Sequence, residues 1–201
     1  MTYALDDAFK RATDDDAVRC IVLAGEGKHF SAGHDIGTPG RDLHTEFDKR
    51  LMVPPHTNKP AAELLYTREQ EQYLGMCRRW REVPKPTIAM VRGYCIMGSW
   101  MLTATCDLVM ASETARFADR SVRWGSAHHE YPTQFWELGI RKAKEFLWTG
   151  DFIDAHEAHR LGMVNHVVPD DKLEAGTRWL AKRMSLRLMH NTAVRGPLRL
   201  M

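Results

Sequence analysis

Thr87-Ile88-Ala89-Met90-Val91-Arg92-Gly93-Tyr94-Cys95-Ile96-Met97-Gly98-Ser99-Trp100-Met101-Leu102-Thr103-Ala104-Thr105-Cys106-Asp107-Leu108-Val109-Met110-Ala111 is the stretch that decides the fold. Its first five residues form a continuous apolar run of strand length, and Leu108 to Ala111 form another. Gly93 to Gly98 reads as a turn, and Trp100 to Thr105 as a helix. Upstream, Val18 to Leu23 is a buried-strand pattern followed by the turn Ala24-Gly25-Glu26-Gly27. Downstream, Ala115 to Ala118 is short and extended, and helical patterns cover 134–148, 154–161 and 171–184, with Val164 to Val168 as a strand. Ala4, Leu5, Ala8, Phe9 and Ala12 recur at helical spacing, so 3–13 predicts an amphipathic helix with Thr2 as its cap. A further helix is expected from Ala61 to Glu82, ended by Pro84 and Pro86. Residues 37–60, rich in Gly and Pro, read as a mobile surface loop. Strands alternating with helices predict an α/β fold with a largely parallel sheet and flanking helices.

Composition narrows the function classes. The 201 residues suit one ordinary domain, and 28 basic against 26 acidic side chains leave a net charge of +2. That balance gives no reason to expect nucleic acid or an anionic membrane as partner. No apolar run approaches the ~20 residues that span a bilayer. The acidic start Met1-Thr2-Tyr3-Ala4-Leu5-Asp6-Asp7 does not read as a signal peptide. Cys20, Cys77, Cys95 and Cys106 are scattered, with no CxxC pair. They read as reduced, mostly buried thiols, and a cytoplasmic protein is expected.

Two small-residue turns follow strands: Ala32-Gly33-His34-Asp35, and Gly93 to Ser99. A helix N-terminus offers unbonded backbone N–H groups, and a glycine lets a ligand approach them. Side by side, two such turns could aim two N–H groups at one oxygen, as an oxyanion hole does. The plain alternative is two ordinary strand-to-helix turns. GxGxxG and P-loop patterns are absent, so nucleotide phosphate binding is unsupported.

His29-Phe30-Ser31-Ala32-Gly33-His34-Asp35-Ile36 resembles the F-[SA]-A-G-x-D-[LI] segment of the crotonase (enoyl-CoA hydratase/isomerase) superfamily. Lys85 to Tyr94, then Gly98 and Cys106-Asp107-Leu108, is similar to its KPxIAAVxGxAxGGGxxLxxxCD block. Arg116-Phe117, Gly125, Leu147 to Gly150 and Ala155 to Val164 also match its spacing, so the resemblance runs from about residue 3 to 184. It implies a spiral of ββα turns that binds acyl-CoA thioesters, as a homotrimer or a hexamer built from two trimers. It implies that the backbone N–H groups of His34 and Gly98 hold the thioester oxygen. Ala32, Asp35, Ile36, Met97, Met101 and Ser121 fall in the substrate-binding stretches. Residues 1–184 then form the acyl-CoA-binding core without the family's first hairpin, and 185–201 a remnant of its C-terminal helical segment. No metal or redox cofactor is implied; coenzyme A enters as part of the substrate.

The departures matter most. The two positions at which the family's hydratases carry glutamates fall on Met101 and Ser121. Methionine transfers no proton, and a serine without a base is a poor acid or base. The glycine triplet is reduced to Met97-Gly98-Ser99. Just after Gly125 comes Ser126-Ala127-His128-His129-Glu130-Tyr131. His129 stands where a dehalogenating branch of the family carries its nucleophilic aspartate. His129 and Glu130 are therefore candidate catalytic groups, with a solvated loop as the alternative. Asp119 and Arg120 read as a surface ion pair or a cap. His156 and His159 lack the spacing and the third ligand of a metal site. Arg78-Arg79-Trp80-Arg81 reads as a solvated helix face, with steering of coenzyme A phosphates as the functional alternative. Met90, Met97, Met101 and Met110 read as core, and Met97 and Met101 could also line an acyl pocket.

Three functions are thus expected to compete. The first is an enzyme of lyase or isomerase type in fatty acid metabolism, working through a thioester enolate. The second is a CoA-thioester or C–C bond hydrolase using His129 or Glu130. The third is a non-catalytic acyl-CoA-binding subunit.

Overall fold

The computed structural model describes residues 1–35, 62–126 and 131–186. The chain opens with helix α1 (Thr2–Asp14), capped by Met1 rather than by the Thr2 side chain expected to do so. Strand β1 (Ile21–Ala24) follows. Helix α2 (Ala62–Glu69) runs through a π-turn (Gln70–Gly75) into α3 (Met76–Arg81), so the long helix expected before Pro84 and Pro86 is present. Then come β2 (Thr87–Val91), β3 (Tyr94–Ile96), α4 (Gly98–Thr105), β4 (Leu108–Ser112) and β5 (Arg116–Ala118). A 3-10 turn (Ser121–Trp124) precedes α5 (Gln134–Glu137) and α6 (Ile140–Thr149). The described part closes with β6 (Ile153–Asp154), α7 (Ala155–Arg160), β7 (His166–Val168) and α8 (Leu173–Ser185).

The larger sheet has the order β1-β2-β4-β7 with every pair parallel. Its inner strand β2 is buried along nearly its whole length and, after Thr87, entirely apolar, as an inner strand of a parallel sheet is expected to be. The mixed α/β expectation therefore holds. Two local expectations do not. Tyr94-Cys95-Ile96 is a strand rather than part of a turn, because it finds a parallel partner in β5. The single helix expected over 134–148 is split at Leu138-Gly139, where Gly139 adopts φ +72°.

Three apolar clusters hold the elements together. Trp100, Phe117 and Phe146 centre the largest, with Trp100 and Phe146 rings 5.2 Å apart. Phe9 stacks on Trp80 at 5.5 Å and docks α1 against α3. Ile88, Met110 and Leu173 seat α8 on the larger sheet. A buried polar knot accompanies the second cluster. Asp6 accepts from Trp80 Nε1 (2.8 Å) and from Arg79 Nε and Nη2 (3.3 and 3.1 Å), while Arg79 also faces Glu71 at 3.5 Å. Arg81 donates to the Ala104 carbonyl at 2.8 Å. The run 78–81 is therefore not a uniformly solvated face: Arg79 and Arg81 tie helices together.

All four cysteines are free thiols, Cys77 and Cys95 buried and the others half-buried. His159 bonds the Val164 carbonyl through Nδ1 at 2.8 Å, and no metal-binding cluster occurs among the described residues. Among those residues no helix is long and apolar enough to cross a membrane.

Candidate active site

Backbone pairing brings the two small-residue turns together. Ser31 bridges Cys95 of β3 in parallel; its N–H donates to the Tyr94 carbonyl at 3.0 Å, and Ile96 N–H donates to the Ser31 carbonyl at 3.1 Å. Both chains then turn at once, which sets Gly33 against Met97 and Gly98. Gly33 adopts φ +94°, and a Cβ on it would stand 2.7 Å from the Ile96 carbonyl, 3.0 Å from Met97 Cβ and 3.2 Å from Gly98 N. A side chain at 33 would therefore crowd the Gly98 N–H. Gly98 is the first residue of α4, so its N–H is one that the helix does not bond. The dipole end of α4 adds positive potential there.

Met97 is the exceptional backbone position. It adopts φ +53° and ψ −120°, the sole positive φ among described residues other than glycine. A methionine there carries strain of roughly 1–3 kcal/mol. The surroundings enforce it: Met97 N–H donates to the Ala118 carbonyl at the end of β5 (2.9 Å), and its own carbonyl accepts from Trp100 N–H at 2.9 Å.

His34 follows Gly33 and is half-buried. Its imidazole fills the space that a Cβ on Gly98 would need, with Cε1 and Nδ1 each 2.5 Å from that position. The Tyr73 ring, from the π-turn, meets it edge-on at 4.7 Å and 66°. Ala32 and Asp35 are exposed on either side.

Met101 and Ser121 take different environments. Met101 is 4% exposed and packs with Phe9, Met76, Cys77 and Trp80. Ser121 opens the 3-10 turn after β5, and both its N–H (2.9 Å) and its hydroxyl (2.5 Å) donate to one oxygen of Asp119. Asp119 is 1% exposed, so it serves as a buried cap and not as half of a surface ion pair. Ile36, His129 and Glu130, together with His128, lie outside the described residues.

A second polar group sits behind α4. Trp100 Nε1 donates to Thr133 Oγ1 at 2.9 Å. Burial raises the carboxyl of Glu137 from its ordinary 4.5 to about 7, against the opposing pull of the Thr133 hydrogen bond and of Arg81. The Tyr131 phenol is likewise raised by burial, with Arg81 and Arg78 acting in the opposite sense. Burial pushes the Cys95 thiol up to about 12, so it is no nucleophile.

His34 and Gly98 are thus placed together, with their preceding residues Gly33 and Met97 also in contact. Sequence reasoning missed Tyr73, Asp119 as the partner of Ser121, and the position of the His34 ring. The signal for the last was the histidine between Gly33 and Asp35, a bulky side chain in an otherwise small-residue turn.

Comparisons with known proteins bear on this arrangement. Residues 57–194 match the protein family described as enoyl-CoA hydratase/isomerase. The candidate enoyl-CoA hydratase EchA13 of Mycobacterium tuberculosis is 39% identical over 194 residues, covering 92% of this chain. The chain spans 59% of that curated relative's length. A crystal structure of a probable enoyl-CoA hydratase from Mycobacterium smegmatis is 39% identical with a TM-score of 0.85, covering 99% of this chain and 74% of the other. One from Mycobacterium thermoresistibile is 40% identical with a TM-score of 0.82, covering 99% and 77%.

Proposed function

Because the chain belongs to the enoyl-CoA hydratase/isomerase family, the crotonase superfamily, we propose that it binds an acyl-CoA thioester and stabilises its enolate. In this reading the N–H groups of His34 and Gly98 form the oxyanion hole. The single observation that carries it is the contact between the turns: the absent Cβ of Gly33 leaves Gly98 N clear at 3.2 Å. Two fixed donors stabilise charge that develops on a thioester oxygen without reorganising at the moment of reaction. Enolate formation asks for no resident metal or redox group, and coenzyme A arrives with the substrate. The reaction is of lyase or isomerase type, carried out in the cytoplasm.

The two hydratase glutamates have no counterpart at Met101 and Ser121, so addition of water by a carboxylate pair is not part of the proposal. One specific observation favours a second reading, a non-catalytic acyl-CoA-binding subunit: Met101 is packed into the core and the Ser121 hydroxyl is committed to Asp119. A hydrolase using His129 or Glu130 is the third. The homotrimer or hexamer is part of the proposal, supported by Trp136, Trp148 and Ile140, which stand 79%, 71% and 64% exposed on α5 and α6. Light scattering tests that assembly directly.

The test of the oxyanion hole is His34→Pro, which removes the donor. Turnover of crotonyl-CoA or a 3-enoyl-CoA should fall by an amount equivalent to ~3 kcal/mol. His34→Ala keeps the N–H and should cost little thioester affinity in calorimetry. Normal turnover by His34→Pro would remove His34 N–H from the site. Thioester binding without turnover of any ester by the unaltered chain would favour the subunit.

A further inference from the structure

The two chain segments that lead into the candidate site pair in an irregular register. Phe30 N–H donates to the Arg92 carbonyl at 2.8 Å, and Ser31 N–H donates to the Tyr94 carbonyl at 3.0 Å. Two consecutive donors on one segment thus face two acceptors that stand two residues apart on the other. The extra residue is Gly93, at φ +55°, so the ladder carries a bulge there. In a regular parallel ladder Tyr94 N–H would donate to the carbonyl of residue 29. Here it donates to a side chain instead, to His29 Nδ1 at 3.2 Å. Glycine at 93 leaves room for that bond. A Cβ there would stand 2.3 Å from His29 Nδ1 and 2.5 Å from the Lys28 carbonyl. The Tyr94 ring packs on the imidazole at 4.6 Å, and Phe152 backs Tyr94 at 5.5 Å.

We infer that His29 is a positioning residue of the oxyanion hole, its ring nitrogen standing in for the missing backbone acceptor at the bulge. The inference rests on the oxyanion reading above. His34 lies five residues beyond His29, and Gly98 four beyond Tyr94. The Ser31–Cys95 bridge comes between, so both turns depart from strands whose register is set at the bulge. A one-residue slip there would move Gly33 from its place against Gly98, where its absent Cβ leaves Gly98 N clear at 3.2 Å. The role of His29 is to hold the strands, not to touch the substrate. It needs an acceptor at the position of Nδ1 and nothing else from the ring. An asparagine Oδ1 can reach the same N–H, whereas leucine fills the volume and accepts nothing.

The experiment compares the unaltered chain with His29→Asn and His29→Leu. Acetoacetyl-CoA probes the oxyanion hole, because its enolate absorbs in the ultraviolet and accumulates where the thioester oxygen is stabilised. Butyryl-CoA, which stays an ordinary thioester, reports plain binding by calorimetry. His29→Leu should weaken enolate binding by about 3–10-fold, the scale of one hydrogen bond, with butyryl-CoA affinity unchanged. His29→Asn should bind the enolate nearly as the unaltered chain does. In isotope-labelled unaltered protein, NMR should show a coupling between the Tyr94 amide nitrogen and His29 Nδ1 across the hydrogen bond; its absence would overturn the inference. Undiminished enolate binding by His29→Leu would overturn it too and leave the oxyanion reading standing. Equal weakening in His29→Asn would do the same, by showing that the ring's packing on Tyr94 matters and its acceptor does not. Loss of butyryl-CoA and enolate binding together in His29→Leu would make His29 a general structural residue, against the inference. Butyryl-CoA binding without any enolate signal in the unaltered chain would remove the oxyanion reading, and the inference with it. No binding of either thioester would remove the acyl-CoA reading itself, and the inference would fall with that.

Discussion

One oxygen of the buried Asp119 carboxylate accepts both the backbone N–H and the hydroxyl of Ser121, at 2.9 and 2.5 Å. A buried carboxylate with such donors fixes the turn that follows β5. Removing the acceptor leaves two donors unsatisfied away from water, each costing about 1–3 kcal/mol. Asp119→Ala should therefore destabilise the chain by about 2–6 kcal/mol in urea unfolding, and Ser121→Ala by about 1 kcal/mol. A loss below half a kcal/mol for Asp119→Ala would show that the cap contributes little.

Met97 supplies a prediction of opposite sign. Its φ of +53° and ψ of −120° are glycine values. Glycine at 97 would relieve about 1–3 kcal/mol of strain and forfeit roughly 0.5–1 kcal/mol in chain entropy plus some packing. Met97→Gly is expected to raise the melting temperature by about 2–4 °C for each net kcal/mol. Met97→Ala keeps the strain and loses the rest of a half-buried side chain, so it should melt lowest. A melting order with alanine above glycine would sink the account.

Glu137 predicts a pH dependence. Its carboxyl is raised from 4.5 to about 7 in the folded chain, chiefly by burial. Between those values the native state holds a proton that the unfolded state has released, so stability falls as pH rises through the window. The full difference corresponds to about 3 kcal/mol. Glu137→Gln should match the unaltered chain near pH 4.5 and exceed it in unfolding free energy at pH 8. The same gap at both pH values would mean that Glu137 titrates normally.

Much of the fold was legible because it rests on local patterns. The apolar runs of β2 and β4 and the small turns before α4 could be read without partners. β3 could not, because Tyr94-Cys95-Ile96 becomes a strand only through β5, which lies some twenty residues away. Of the site, His34 and Gly98 were legible from their turns, whereas their contact was not. The ring position depends on the Ser31–Cys95 bridge and on Tyr73 arriving from a distant helix. The bond from Ser121 N–H to Asp119 follows the two-residue spacing of an Asx turn and was open to local reading, whereas the burial of Asp119 depends on distant packing.

The occupied space above Gly98 also constrains the order in which these positions can change over descent. A methyl group at 98 would strike the imidazole at 2.5 Å. Alanine at 98 therefore requires either that the His34 ring swing off its present place or that residue 34 already be small. A return from a small residue to histidine at 34 finds the ring's present place open only while glycine stands at 98. The cost of each single step should therefore depend on the state of the other position.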